Sequence, residues 1–110
     1  MTHSLHRFGR YEDLTGDFIV FAMPARGIND AEAIEVQKTF LRMALEHDPV
    51  NIGDAKRGGE FTPQAGLNPL VHWRRNTEPD PQAVLDGVEA PGIVAAVFDD
   101  YGKMEAFVRS

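Results

Sequence analysis

The chain predicts an α+β fold of the ferredoxin-like split β-α-β kind, with elements in the order β-α-β-β-α-β and a terminal helix added. Three observations predict it. Two near-continuous apolar runs, Asp17–Met23 and Gly92–Phe98, are rich in β-branched and aromatic residues, as strands buried on both faces are. Each run leads toward a helix opened by a capping residue. Between them lie a shorter alternating run, Leu70–Arg74, and a short proline-initiated helix. A small doubly wound parallel sheet is the alternative, because an apolar strand running into a capped helix also suits that architecture.

Residues 1–16 mix His, Arg, Gly and acidic residues without a period and read as an irregular N-terminal arm. After the first apolar run, Pro24 ends the strand, and Asn29-Asp30-Ala31-Glu32 carries a capping residue with a carboxylate three positions later. From Ala31 to His47 the apolar positions Ala33, Val36, Phe40, Met43 and Ala44, joined by Ile34, Leu41 and Leu45, form two adjoining stripes at helical spacing. Asp48-Pro49 terminates that helix.

Val50–Gly53 is expected to hold at most a short strand. The region 51–69 contains Gly53, Gly58, Gly59, Gly66, Pro63 and Pro69 and reads mainly as a long loop. Leu70–Arg74 is the next strand, and Asn76–Pro79 turns the chain. Asp80-Pro81 opens a short helix through Val88, with Gly87 and Gly92 bracketing its end. Asp99 or Asp100 caps a last helix that carries Met104, Phe107 and Val108 up to Ser110, which leaves open whether the chain is whole or a fragment.

At 110 residues the length fits one domain, 1–110, with one modest core, burying roughly 60–70% of the surface of the unfolded chain. The apolar share of 43% and charged share of 25% are those of ordinary globular chains. The absence of cysteine excludes disulfides, thiolate nucleophiles and cysteine-ligated metals at once. No apolar stretch approaches the roughly 20 residues of a membrane span, and the N-terminus lacks a signal-peptide run, so a cytoplasmic address is the default expectation.

Eleven Lys and Arg against 17 Asp and Glu give a net charge of −6, a sign that repels a phosphate backbone and argues against nucleic-acid binding. From Glu78 onward seven acidic residues face two basic ones. That excess suits a solvated helix surface, or an acidic face for a partner.

The turn Met23–Asn29 joins a buried strand to a helix start, where backbone N–H groups favour an anion and Arg26 adds a bidentate donor. In the plainer reading, Gly27 relieves a tight turn and Asn29 only caps. Lys56-Arg57-Gly58-Gly59 places a basic pair beside flexible glycines in the long loop, suited to closing over a phosphate or carboxylate or else to being solvated. Arg74 and Arg75 follow the third strand; one is expected to pair with an acidic neighbour. The candidate ligand-binding set is therefore Arg26, Gly27, Asn29, Lys56, Arg57 and Arg74.

His72, fixed on a strand beside Trp73 and Arg74, is the one candidate for acid–base chemistry. His47, near a helix C-terminus, suits a charged cap. His3 and His6 are too sparse for a metal, Asp99-Asp100 is explained by capping, and no nucleophile elbow occurs, so no metal, cofactor or covalent catalysis is implied.

The leading functional expectation is a small binding or regulatory domain that forms a homodimer or joins a larger protein, and that holds a small anionic ligand near Arg26 and Lys56–Gly59. Self-association is expected because such a domain would leave one sheet face bare. A small enzyme or enzyme subunit using His72, with arginines orienting a carboxylate or phosphate, is the first alternative. An interaction module using Trp73 and an acidic face is the second.

Overall fold

The computed structural model describes residues 5–12, 17–55, 67–76 and 80–110, and among these the side chains of 17–54, 73–76 and 80–110. Eight elements follow one another: β1 (Leu5–Glu12), β2 (Phe18–Pro24), α1 (Asp30–Leu45), β3 (Asn51–Ala55), β4 (Leu67–Arg74), α2 (Pro81–Asp86), β5 (Val94–Phe98) and α3 (Tyr101–Arg109). The fold is α+β: three helices and one antiparallel sheet in the order β1-β2-β5-β3-β4.

From Phe18 onward the elements come in the expected sequence, but the spatial order of the sheet is not the ferredoxin-like one. β5 lies between β2 and β3 and runs antiparallel to both, with Phe18 opposite Phe98 and Ala22 opposite Val94 on one side, and Asn51 opposite Val97 and Asp54 opposite Val94 on the other. The two apolar runs are therefore hydrogen-bonded neighbours, and β5, the most apolar segment, takes the middle position where both edges and both faces are covered. The doubly wound alternative is corrected by the same register, since every pairing is antiparallel.

Residues Leu5–Glu12, expected to be irregular, form an edge strand against β2. Its register shifts between Arg7 and Gly9, a bulge that breaks the two-residue alternation by which a strand is recognised. β4 starts three residues earlier than expected, at Leu67, and contains Pro69. That proline falls where the ladder to β3 is interrupted, between the pairs Gly53–His72 and Ala55–Leu67, and β4 is an edge strand, so the missing N–H costs no ladder bond there. β3 and β4 thus occupy parts of the region expected to be a long loop.

All three helices contribute to one core. Val36, Phe40, Leu41 and Ala44 of α1, Val84 and Leu85 of α2 and Met104 and Phe107 of α3 pack with Val20, Ala22, Ile52, Val94, Ala96 and Phe98 of the sheet. Phe107 is its hub: its ring lies 5.1 Å from that of Phe40, 5.5 Å from Phe98 and 5.9 Å from His47. On the opposite face of the strands Ile19, Phe21 and Ala95 form a second apolar group with Ile93 and Val97 beside it. Ile19, Phe21 and Ala95 are buried within the single chain. Trp73 packs against the helix-side core, and among the described residues the exposed large hydrophobic side chain is Tyr101, in edge contact with Phe18. Among the described residues no helix is long and apolar enough to cross a membrane.

Candidate functional site

The antiparallel order sorts the chain's turns between two ends of the sheet. β2 and β3 both run against β5, so they are parallel to each other and leave the sheet at the same end. Ala22 and Asp54 flank the same residue, Val94, which puts their backbones two strand spacings apart, about 10 Å. The Arg26 turn therefore begins beside the end of β3. The side chains of Lys56, Arg57 and His72 lie outside the described residues. The backbone of His72 pairs with Gly53.

At this end the sequence builds a concave surface. Pro24 closes β2, and Gly27 adopts φ +88°, a left-handed conformation in which an L side chain is strained, so the turn reverses there. Asn29 then caps α1, its Oδ1 accepting the Glu32 N–H at 2.8 Å. Opposite the turn, the loop before β5 is held by a buried amide. Gln37 lies on the apolar stripe of α1, completely buried; its Nε2 donates to the Ala90 carbonyl at 3.3 Å and its Oε1 accepts the Gly92 N–H at 3.0 Å. Between turn, helix and loop lies an open cavity of about 320 Å³, lined by Met23, Pro24, Ala25, Ile28, Asp30, Ala33, Pro91, Gly92 and Ile93.

The walls are mostly apolar, with one carboxylate, Asp30. Arg26 and Gly27 are exposed on the turn between the lining residues Ala25 and Ile28. Neither the Arg26 guanidinium nor the Asp30 carboxylate makes a hydrogen bond or ion pair among the described residues. The backbone N–H groups of α1 are not a vacant anion site, because Asn29 takes one of them and Asp30 and Glu32 place two carboxylates in the first turn. The Asn29 side chain is engaged in the cap, as the plainer reading of this turn has it. Asp54, 1% exposed on β3, is a buried carboxylate at the same end of the sheet.

The other end is closed by charges that satisfy one another. Asp48 accepts from Arg75 Nη1 at 3.1 Å and from Lys103 Nζ at 2.5 Å, while Arg75 Nη2 donates to Asp99 at 2.5 Å. The bonds from Lys103 and then Arg75 hold the Asp48 carboxyl below its ordinary value, and those from Asp99 and Asp48 raise the Arg75 guanidinium. Asp48 and Asn76 both adopt left-handed backbone, at φ 53° and 67°, which Asp and Asn tolerate better than other side chains. Asp100, beside the cluster, caps α3 by accepting the Lys103 N–H at 2.9 Å.

Arg74 belongs to this closed end. It pairs with Asn51, three residues of β3 away from the Asp54 level and across β3 and β5 from β2. The structure thus brings Arg26, Gly27 and Asn29 together, and it separates Arg74 from them. Arg26 and Arg74 therefore lie at opposite ends of the sheet. Among the described residues no group of three His, Asp or Glu side chains is placed to hold a metal ion.

Comparison with protein-family models, with curated proteins and with solved structures finds no match.

Three residues that matter here escaped the sequence reading. Gln37 had a legible signal, since it falls four residues after Ala33 and four before Leu41, on the buried stripe. Asp30 was readable only as part of a capping segment. Asp54 was hidden because β3 sits in a stretch punctuated by glycines.

Proposed function

We propose that this chain is a small ligand-binding domain whose site is the cavity between the Arg26 turn, the start of α1 and the loop before β5, and that Arg26 receives an anionic group of the ligand. The observation that carries this reading is an unpaired, exposed guanidinium beside a concave apolar surface, in a chain whose other described cluster of basic side chains is engaged with carboxylates. Small-molecule sites combine apolar walls with a few polar groups that fix orientation, and about 320 Å³ lies at the small end of their usual range. Lys56, two residues after Asp54 in the sequence, is proposed as a second cation for the same ligand.

A thermal-shift screen of small carboxylates and phosphates tests the reading. A ligand at 100 times its dissociation constant stabilises the folded state by about 2.7 kcal/mol, readily seen as a higher Tm. Arg26→Ala is expected to leave the ligand-free Tm within error of wild type and to remove the ligand-induced rise; Lys56→Ala is expected to reduce it. An unchanged response in both variants contradicts the proposal.

A further inference from the structure

We infer that the ligand of this site is amphoteric, a small apolar body carrying both a carboxylate and a protonated amine, with the amine received by Asp30 and the carboxylate by Arg26. The inference rests on the binding-domain reading above and narrows its ligand class. The carboxylate of Asp30 lines the cavity itself, whereas Arg26 stands on the turn beside it. A purely anionic ligand held by Arg26 leaves the Asp30 carboxylate beside it without a partner and close to a like charge. A purely cationic ligand leaves Arg26 unused.

Arg26 and Asp30 are opposite in charge and only four residues apart, and both are exposed. They are nevertheless not bonded to each other, because the Gly27 reversal and the Asn29 cap lie between them and α1 begins at Asp30. Two separated, unsatisfied charges of opposite sign flanking apolar walls complement a molecule with the same pair of charges in reverse. The walls contributed by Ile28, Ala33 and Ile93 take its hydrocarbon part.

Isothermal titration calorimetry on the full chain with three probes of one skeleton tests this: leucine, which carries both charges; N-acetylleucine, which is only anionic; and leucinamide, which is only cationic. Leucine is expected to bind at least about tenfold more tightly than either analogue, the size of effect a charge-assisted hydrogen bond supplies. Asp30→Asn is expected to remove the advantage of leucine over N-acetylleucine, and Arg26→Ala its advantage over leucinamide. N-acetylleucine binding as tightly as leucine, with Asp30→Asn silent, overturns the amphoteric assignment and leaves the anion-binding reading standing. Leucinamide binding as tightly as leucine, with Arg26→Ala silent, overturns both, and so does the absence of binding by all three probes together with a silent carboxylate and phosphate screen.

Discussion

The two ends of the sheet carry similar side chains and use them differently. Where β4 and β5 end, Asp48, Arg75, Asp99 and Lys103 bond to one another over the Phe40–Phe98–Phe107 cluster. Where β2 and β3 end, Arg26 and Asp30 bond to nothing described, and a cavity stands where the other end has packed rings. The contrast separates charges the fold uses from charges it leaves without a partner. Charges that answer one another belong to the fold; Arg26 and Asp30, held apart beside a concave apolar wall, are the ones proposed to meet a ligand.

The largest test of that contrast removes what fills the closed end. Phe107→Ala deletes a fully buried ring in contact with Phe40, Phe98 and His47, and is expected to cost about 3–5 kcal/mol, read as a large fall in the denaturation midpoint. A loss below about 1 kcal/mol in the same measurement would show that the closed end is not where this core is anchored.

At the open end the support is polar rather than aromatic. Gln37→Leu removes the amide that holds Ala90 and Gly92, leaving the Gly92 N–H without its acceptor; about 1–3 kcal/mol is expected, together with loss of any ligand-induced shift, because the loop forms one wall of the cavity. Retention of full ligand response would detach the loop from the site.

The smallest effect concerns acid. Bonding to Lys103 and Arg75 lowers the folded-state pKa of Asp48 below its ordinary 3.8. Its contribution to stability is therefore complete above that value and disappears as pH falls through the lowered folded value. Between about pH 5 and pH 2 wild type should lose more stability than Asp48→Asn, and the two curves should converge at the acid end. Asp48 and Asp99 are exposed and Arg75 and Lys103 half-buried, so the difference is small and shrinks with added salt. Parallel curves would mean that the cluster adds nothing to the fold.

Much of the fold was legible in the sequence because it is written in local signals. The caps Asn29, Asp80 and Asp100, the stripes of α1 and the apolar runs of β2 and β5 identify their elements without tertiary information. Sheet order is not local. Which strand lies between β2 and β3 is decided by packing, and the sequence of elements β-α-β-β-α-β fits more than one arrangement of strands. β1 escaped because an edge strand with a bulge has no clean alternation, and β4 was read short because Pro69 looks like a strand stop until the ladder is known to be interrupted there.

Of the candidate site, the Arg26 turn was legible as a strand–helix junction with a basic residue. The distance of Arg74 from it was not, since that follows from strand order alone. Asp30 was invisible as a ligand group for a similar reason: only the fold shows that its carboxylate lines a cavity instead of merely lying in the first turn of a helix.

That the open end is a site is tested most directly by nuclear magnetic resonance mapping. Titrating leucine into the ¹⁵N-labelled chain should shift amide signals of Met23, Ala25–Ala33, Gly92 and Ile93 while those of Asp48, Arg75 and Asp99 stay in place. Shifts confined to the Asp48–Arg75–Asp99 end, or scattered evenly over both ends, would contradict it.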